Sequence, residues 1–219
     1  MSLSELWSLY GQNYIDALLA TWGMTLESFA IAMVLAVAVT VMRVSPLKPL
    51  RVFGDLYVQV FRNIPGIALL IIVVYALPPL KVVLPYRTCV IVATVLLGSA
   101  FGSENFMSGT NTVGVGQVEA ARSLGMSFSR ILAKIVIPQA LRSSVLPMTN
   151  LFIAVMLTTA LGSQVPLKPQ ELTGVVSYIN TRSLGGVAAF FISALGYLGT
   201  AFVVSHIGNY IDKKVRILR

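Results

Sequence analysis

Apolar residues along this chain come in long blocks, not in the alternation of a half-buried strand or the narrow stripe of a soluble helix. Asn63–Leu80, Thr88–Ser103 and Ser143–Leu167 carry no charged side chain. Ser183–Ile211 carries only His206, and Ala17–Met42 only Glu27. About 20 mostly apolar residues cross the hydrocarbon core of a bilayer as a helix. The blocks predict an all-α integral membrane protein with five transmembrane helices, at 15–42, 57–79, 86–108, 141–165 and 185–210. The third is the least regular, because Gly and Ser crowd its inner half.

The connections read as short, about a dozen residues or fewer, with one exception. Gly109–Arg142 is a polar segment between the third and fourth spans, and long connections with structure of their own are usually functional. Gly114 and Gly116 free the backbone there. Val118–Leu124 reads as a short helix, with Val118, Ala121 and Leu124 on one face. Ala120 and Ala121 keep its surface thin, so a second backbone can approach. Gly125 falls where a helix ends in a left-handed residue. Ser127 then caps a second helix whose Phe128, Ile131, Leu132 and Ile135 form a stripe, with Arg130 and Lys134 on the other side. Pro138 marks where that helix kinks or restarts. Two readings fit: an interfacial anchor, or a docking element for a soluble partner. The part before Gly125 has little apolar bulk for anchoring, and Glu119 opposes contact with anionic lipid.

Composition supports the membrane class. Hydrophobic residues make up 56% and charged residues 11% of the 219, where a soluble domain carries about a quarter charged. The net charge of +8 raises the question of nucleic acid, but its distribution answers differently. With the N-terminus outside, the outer segments hold only Lys81, Arg87, Lys168 and Arg182 of the sixteen Lys and Arg. The other twelve, Arg216 and Arg219 among them, fall inside. This is the positive-inside bias, and it orients the chain N-out and C-in. The basic residues report topology and not nucleic acid. The first sixteen residues lack the basic start of a cleaved signal and read as an outer amphipathic lead-in, with Leu3, Leu6, Trp7 and Tyr10 on one face. Residues 1–219 read as one domain without linker or repeat. Cys89 is the single cysteine and reads as packing.

With those residues in place, the chain resembles a known family. Glu119-Ala120-Ala121, three residues, Gly125, nine residues, Ile135, and then Ile137-Pro138 resemble the EAA loop of ATP-binding-cassette importer permeases. Gly116–Asn150 is similar to the polar amino acid branch, which includes glutamate permeases. LYVQVFRNIPGIALL (Leu56–Leu70) and VTVMRVSP (Val39–Pro46) are similar to that branch as well, in the same order along the chain. The resemblance implies a type I importer permease fold in a bacterial cytoplasmic membrane. It implies a complex of two permease subunits, two cytoplasmic ATPase subunits and an external solute-binding protein, moving a polar amino acid such as glutamate. Glu119, Ala120, Ala121, Gly125, Arg130 and Pro138 become the ATPase-coupling residues. The chain has no Gly-Lys-Ser/Thr phosphate loop, so ATP falls to the partner and the chain needs no cofactor.

There are departures. The branch often has an Arg where Met107 stands and a basic residue where Val115 stands. A Lys is often found where Met156-Leu157-Thr158-Thr159 runs, and Lys168-Pro169-Gln170 reads as added loop. The missing charges imply a heterodimer in which the other permease carries most of the substrate site.

Four residues are candidates for the pathway. Glu104 is an ionisable group near the membrane, where function is the default reading; a structural bond to a backbone group or to Arg62 is the other. Arg62 either snorkels to headgroups or gates the pathway in its Phe-Arg-x-x-Pro setting. Pro65 bends the second span. Asn150 stands where the resemblance puts an Asn near substrate. Glu27 reads as wet or interfacial, and His206 as packing. No His, Cys or carboxylate cluster has metal-ligand spacing. Two rivals stay open: a secondary transporter, in which inverted repeats are common, and a structural or signalling membrane protein.

Overall fold

The computed structural model describes residues 2–182 and 186–215, and every structural statement below concerns those residues. Arg216 and Arg219, counted above with the inner charges, lie outside them, as does the first residue of the expected fifth span.

α1 runs unbroken over Leu3–Arg43. Ser2 and Glu5 start it with reciprocal side-chain-to-backbone bonds, the capping box that satisfies the orphan N–H groups of a first turn. The lead-in is thus the first turns of the first span and not a separate element. Its face also differs from expectation, since Leu6 is fully buried while Leu3 and Trp7 are exposed. At 1.5 Å per residue the helix is roughly 60 Å long, about twice a hydrocarbon core.

The expected span at 57–79 is not one straight helix. α2 (Lys48–Asn63) and the next helical run, Gly66–Leu80, meet at 103°. The cause is Pro65, whose ring pushes the preceding residue out of the helical region; Ile64 sits at φ −82°, ψ 128°. Residues 57–63 therefore belong to an amphipathic helix with only Gly54 and Val58 buried. α3 (Gly66–Ile71) passes through a π-helical turn at Ile72–Ala76 and a short 3₁₀ turn at Pro78–Leu80.

α4 (Tyr86–Thr110) matches the third span. The fourth is α7 (Ile137–Ser143), a break at Ser144, and α8 (Val145–Thr158), which tightens to 3₁₀ through Gln164. Within the polar segment lie α5 (Val115–Ser123) and α6 (Phe128–Ile131). α9 (Leu172–Asn180) fills the outer connection before α10 (Gly186–Val215), so that connection is longer than expected and structured.

α1 and α4 form the most extensive helix pair. Their seam is built from small residues, as helices in lipid require for close approach. A Cβ on Gly102 would lie 2.9 Å from that of Ala36, and one on Gly98 3.3 Å from that of Ala32. Two ion pairs cross this seam. Glu27 meets Arg87 at 2.6 Å, and Arg43 meets Glu104 at 2.9 Å. The sixteen-residue step between Glu27 and Arg43 is roughly 24 Å of helix, so the charged layers bracket an apolar slab of near-membrane thickness. Glu27 is half exposed, as an interfacial residue would be.

The charge asymmetry leads to a labelling result. Ser123→Cys and Arg182→Cys in a Cys89→Ala background should react with impermeant maleimide from opposite faces of the membrane. Both native side chains are exposed, so a failure to react cannot be blamed on burial. Labelling of both from outside would reject the orientation.

Candidate functional site

The polar segment folds as a hook. α5 ends at Ser123 and Gly125 turns at φ +73°. The Gly125 N–H donates to the Arg122 carbonyl at 2.9 Å and the Met126 N–H to the Ala121 carbonyl at 3.1 Å. These two bonds are the Schellman motif, which satisfies carbonyls left over at a helix end. The left-handed residue is where the spacing predicts it. α5 itself begins three residues earlier than expected and ends one earlier. That ending moves Leu124 off the Val118–Ala121 stripe, and its side chain is 82% exposed.

Ala120 and Ala121 do not act alike. Ala120 is exposed, whereas Ala121 is 4% exposed, turned into the loop's own packing. The thin outer surface is therefore made by Ala120, beside the exposed Glu119, Ser123 and Leu124. Ser127 occupies the cap position of α6, but its hydroxyl pairs with that of Ser129 at 3.3 Å and caps no backbone group. Arg130 and Lys134 are exposed, while Ile131 is buried. A π-helical turn at Leu132–Val136 leads into α7, where Pro138 sits in the first turn. Pro138 has no N–H to give the carbonyl four residues back, and its ring crowds that group. A wider turn before it relieves both problems.

The hook is tied to the spans. The Gln139 side-chain amide donates to Gln117 Oε1 at 2.7 Å, joining α7 to α5. The Thr112 hydroxyl donates to Ser143 Oγ at 3.2 Å. α4 and α7 touch so closely at Gly109 that a Cβ there would overlap Ser144 Oγ and the Ala140 carbonyl. α5 is thus joined to α7 by one side-chain bond, and α7 is packed against α4.

The second feature is a groove of about 1070 Å³ along α4 and α8. α4 lines it with Thr94, Leu97, Gly98, Phe101 and Asn105, spaced by three and four as one helix face. Arg62 and Asn150 line it too. Pro65 lies between the lining residues Ile64 and Gly66 and sets the bend that forms this wall. Glu104 points elsewhere. It is held by Arg43 at 2.9 Å and lies 3.5 Å from Arg62. Arg43 also reaches Asp55 at 2.9 Å and Ser103 at 3.2 Å, and binds the C-terminal end of α1 to the middle of α2 and to α4. The expected Arg62 partner is therefore the weaker of two. Arg43 was counted as a topology charge and as part of the VTVMRVSP stretch, but nothing in its local sequence marks it as a hub.

Residues 28–217 match the family described as binding-protein-dependent transport system inner membrane component. The chain belongs to that family. It is 32% identical to the glutamate transport system permease protein GluC of Corynebacterium efficiens, over 90% of this chain and 91% of that protein. It is 30% identical to the L-cystine transport system permease protein TcyB of Bacillus subtilis, over 95% and 91%. It is also 30% identical to the probable glutamine ABC transporter permease protein GlnM of the same organism, over 97% and 96%. In fold it is similar to a chain of a crystallised amino acid ABC transporter, with a TM-score of 0.89, 23% identity, and 98% and 99% coverage. The inward-facing MetNI methionine ABC transporter gives 0.76 at 19% identity, over 99% of this chain and all of that one. The fold is that of type I importer permeases, and the chain is a multi-pass component of a bacterial cytoplasmic membrane.

Within this permease two of the departures in charge fall differently. Leu157 lines the groove, so an apolar side chain faces the space there. Met107 is half-buried on α4 and is not among the lining residues. Sequence reasoning missed Thr94, which is fully buried with an unpartnered hydroxyl at the groove. His206 is exposed, but its ring lies against that of Phe202, centroids 4.2 Å apart, and its ring nitrogen is 3.0 Å from the Phe202 carbonyl.

Proposed function

We propose that this chain is the membrane-spanning subunit of an ATP-driven importer for a polar amino acid, glutamate or a related one being favoured. The observation that carries the reading is the hook: an exposed α5, closed by a left-handed Gly125 and strapped to α7 through Gln117 and Gln139. Such an element transmits a push from a soluble partner into the membrane helices. Glu119, Ala120, Ser123 and Leu124 form the docking face, and Arg130 lies beside it. Ala121, Gly125 and Pro138 hold the hook's shape. The ATPase subunits bind and hydrolyse ATP, and the chain itself performs no chemistry. Closure of the ATPases moves the paired hooks, and the helices rock from inward-open to outward-open. The groove is this subunit's wall of the pathway. Arg62 and Asn150 face it, Pro65 shapes it, and Glu104 braces Arg62 from outside.

The relatives named for glutamate, cystine and glutamine favour a polar amino acid, delivered by an external binding protein. The apolar Leu157 in the wall favours a second permease chain of different sequence. Reconstitution of the complex with its binding protein tests the whole reading. ATP-dependent uptake of radiolabelled L-glutamate, L-glutamine or L-cystine is expected, and native mass spectrometry should show two unlike membrane chains. Uptake driven by an ion gradient without ATP would favour a secondary transporter instead. A fully active complex with two copies of this chain would overturn the heterodimer.

A further inference from the structure

We propose that Arg62 receives the α-carboxylate of the transported solute, a proposal that rests on the importer reading above. Arg62 is the one charged side chain among the described residues that line the groove. Its guanidinium lies 5.3 Å from the centre of the Phe101 ring, a cation–π contact that leaves its N–H groups unused. Its nearest carboxylate oxygen, on Glu104, is 3.5 Å away, too far for a good hydrogen bond. Arg62 thus keeps a five-donor fork with 39% of its side chain open.

Arg43 shows the contrast. It is 11% exposed and spends its donors on Asp55, Ser103 and Glu104 at 2.9–3.2 Å. Because Arg43 already holds Glu104, Arg62 can turn to a new anion without stranding that carboxylate. A planar carboxylate matches the guanidinium fork with two parallel bonds. Amide oxygens stand nearby for the α-ammonium. Asn150 is exposed to the groove, and Asn105 gives its amide N–H to the Pro147 carbonyl, which leaves its oxygen free to accept. Every amino acid carries this head group, so Arg62 selects for amino acids as a class. The residue facing the side chain must do the rest.

The test uses the assembled complex in nanodiscs without binding protein. The probe is whichever of L-glutamate, L-glutamine and L-cystine the wild-type complex imports; import of none would remove both the importer reading and this proposal. Affinity is measured for that amino acid and for its α-carboxamide, which is nearly isosteric and uncharged at that end. The wild type is expected to prefer the carboxylate at least tenfold. Arg62→Gln should bring the ratio close to one, and Arg62→Lys should leave it in between, since a point charge lacks the fork. The ratio does not depend on how much of the variant folds. An unchanged preference in Arg62→Gln, or a wild type that binds both forms equally, would overturn the assignment.

Discussion

Gly125→Val is expected to abolish uptake while leaving the chain inserted and assembled. Gly125 sits at φ +73°, and its N–H and that of Met126 close the end of α5. A Cβ at this position would meet no atom within 4 Å. The whole cost is therefore in the backbone, where left-handed geometry costs an L-residue about 1–2 kcal/mol, and a β-branched one is a genuine outlier. The loop escapes by leaving the left-handed region, which breaks both closing bonds and swings Leu124 and Glu119 away from their present face. Gly125→Asn separates this account from simple bulk. Asn visits left-handed geometry at low cost, so it should retain most transport although it is as large as Val. Ala120→Trp should also stop uptake, by holding the exposed face off its partner. Ala121→Trp should stop it by another route, because that side chain is buried and the loop itself must come apart. Glu119→Ala should be mild, since one polar contact contributes about 0.5–1.5 kcal/mol net. The assays are ATP hydrolysis and uptake in proteoliposomes, with co-purification of the ATPase as the check on assembly. Normal transport by Gly125→Val would mean that this segment does not couple.

How much of this was legible beforehand depends on the range of the cause. The spans at α4 and α10 were readable because a run of apolar residues needs no partner to be recognised. Gly125 was readable for the same reason: a left-handed helix end is decided by a few neighbouring residues. The bend at Pro65 was expected, but its size was not. A proline says that the helix stops, and the close approach of Gly54 to Arg43 and Val39 sets how α2 lies against α1. The groove was half legible. Arg62 and Asn150 line it, while Glu104 is held by Arg43, which arrives from a helix sixty residues earlier in the chain. Ala121 was misread, because a nine-residue helix with apolar residues on more than one side does not declare which side is covered. α9 was missed altogether. It is one short helix, and it starts on Glu171, whereas Ser, Thr, Asp and Asn are the usual signals of a helix start.

Glu171→Ala should be the most destabilising single change in the outer half of the chain. Glu171 is fully buried in the connection between the fourth and fifth spans, and its carboxylate ties the start of α9 to α10. It accepts the N–H of Thr173 at 2.5 Å and of Gly174 at 2.6 Å, which caps α9. It also accepts the hydroxyl of Tyr197 on α10 at 3.0 Å, and the next residue's N–H donates to Thr21 on α1 at 3.1 Å. Its Cγ lies where a Cβ on Gly162 would come within 3.1 Å, so the site is packed on that side too. Truncation orphans two N–H groups at about 1–3 kcal/mol each, for a loss of roughly 2–6 kcal/mol. Tyr197 loses less, because its hydroxyl keeps Thr173 Oγ1 at 3.1 Å. Glu171→Gln retains an acceptor for the cap and should cost far less. The pH response separates charge from shape. Burial pushes the Glu171 carboxyl above the ordinary carboxylate range, against the lowering pull of the two N–H groups and Tyr197. A group whose folded value is raised binds its proton more tightly when folded, so its contribution is largest in mild acid and declines as pH rises from the free value through the raised one. Thermal unfolding of the purified complex should therefore show Glu171→Ala well below wild type at every pH, and Glu171→Gln should lose the acid-side gain of the wild type. An unfolding temperature for Glu171→Ala equal to wild type would show that water or a rearranged α9 satisfies the cap without it.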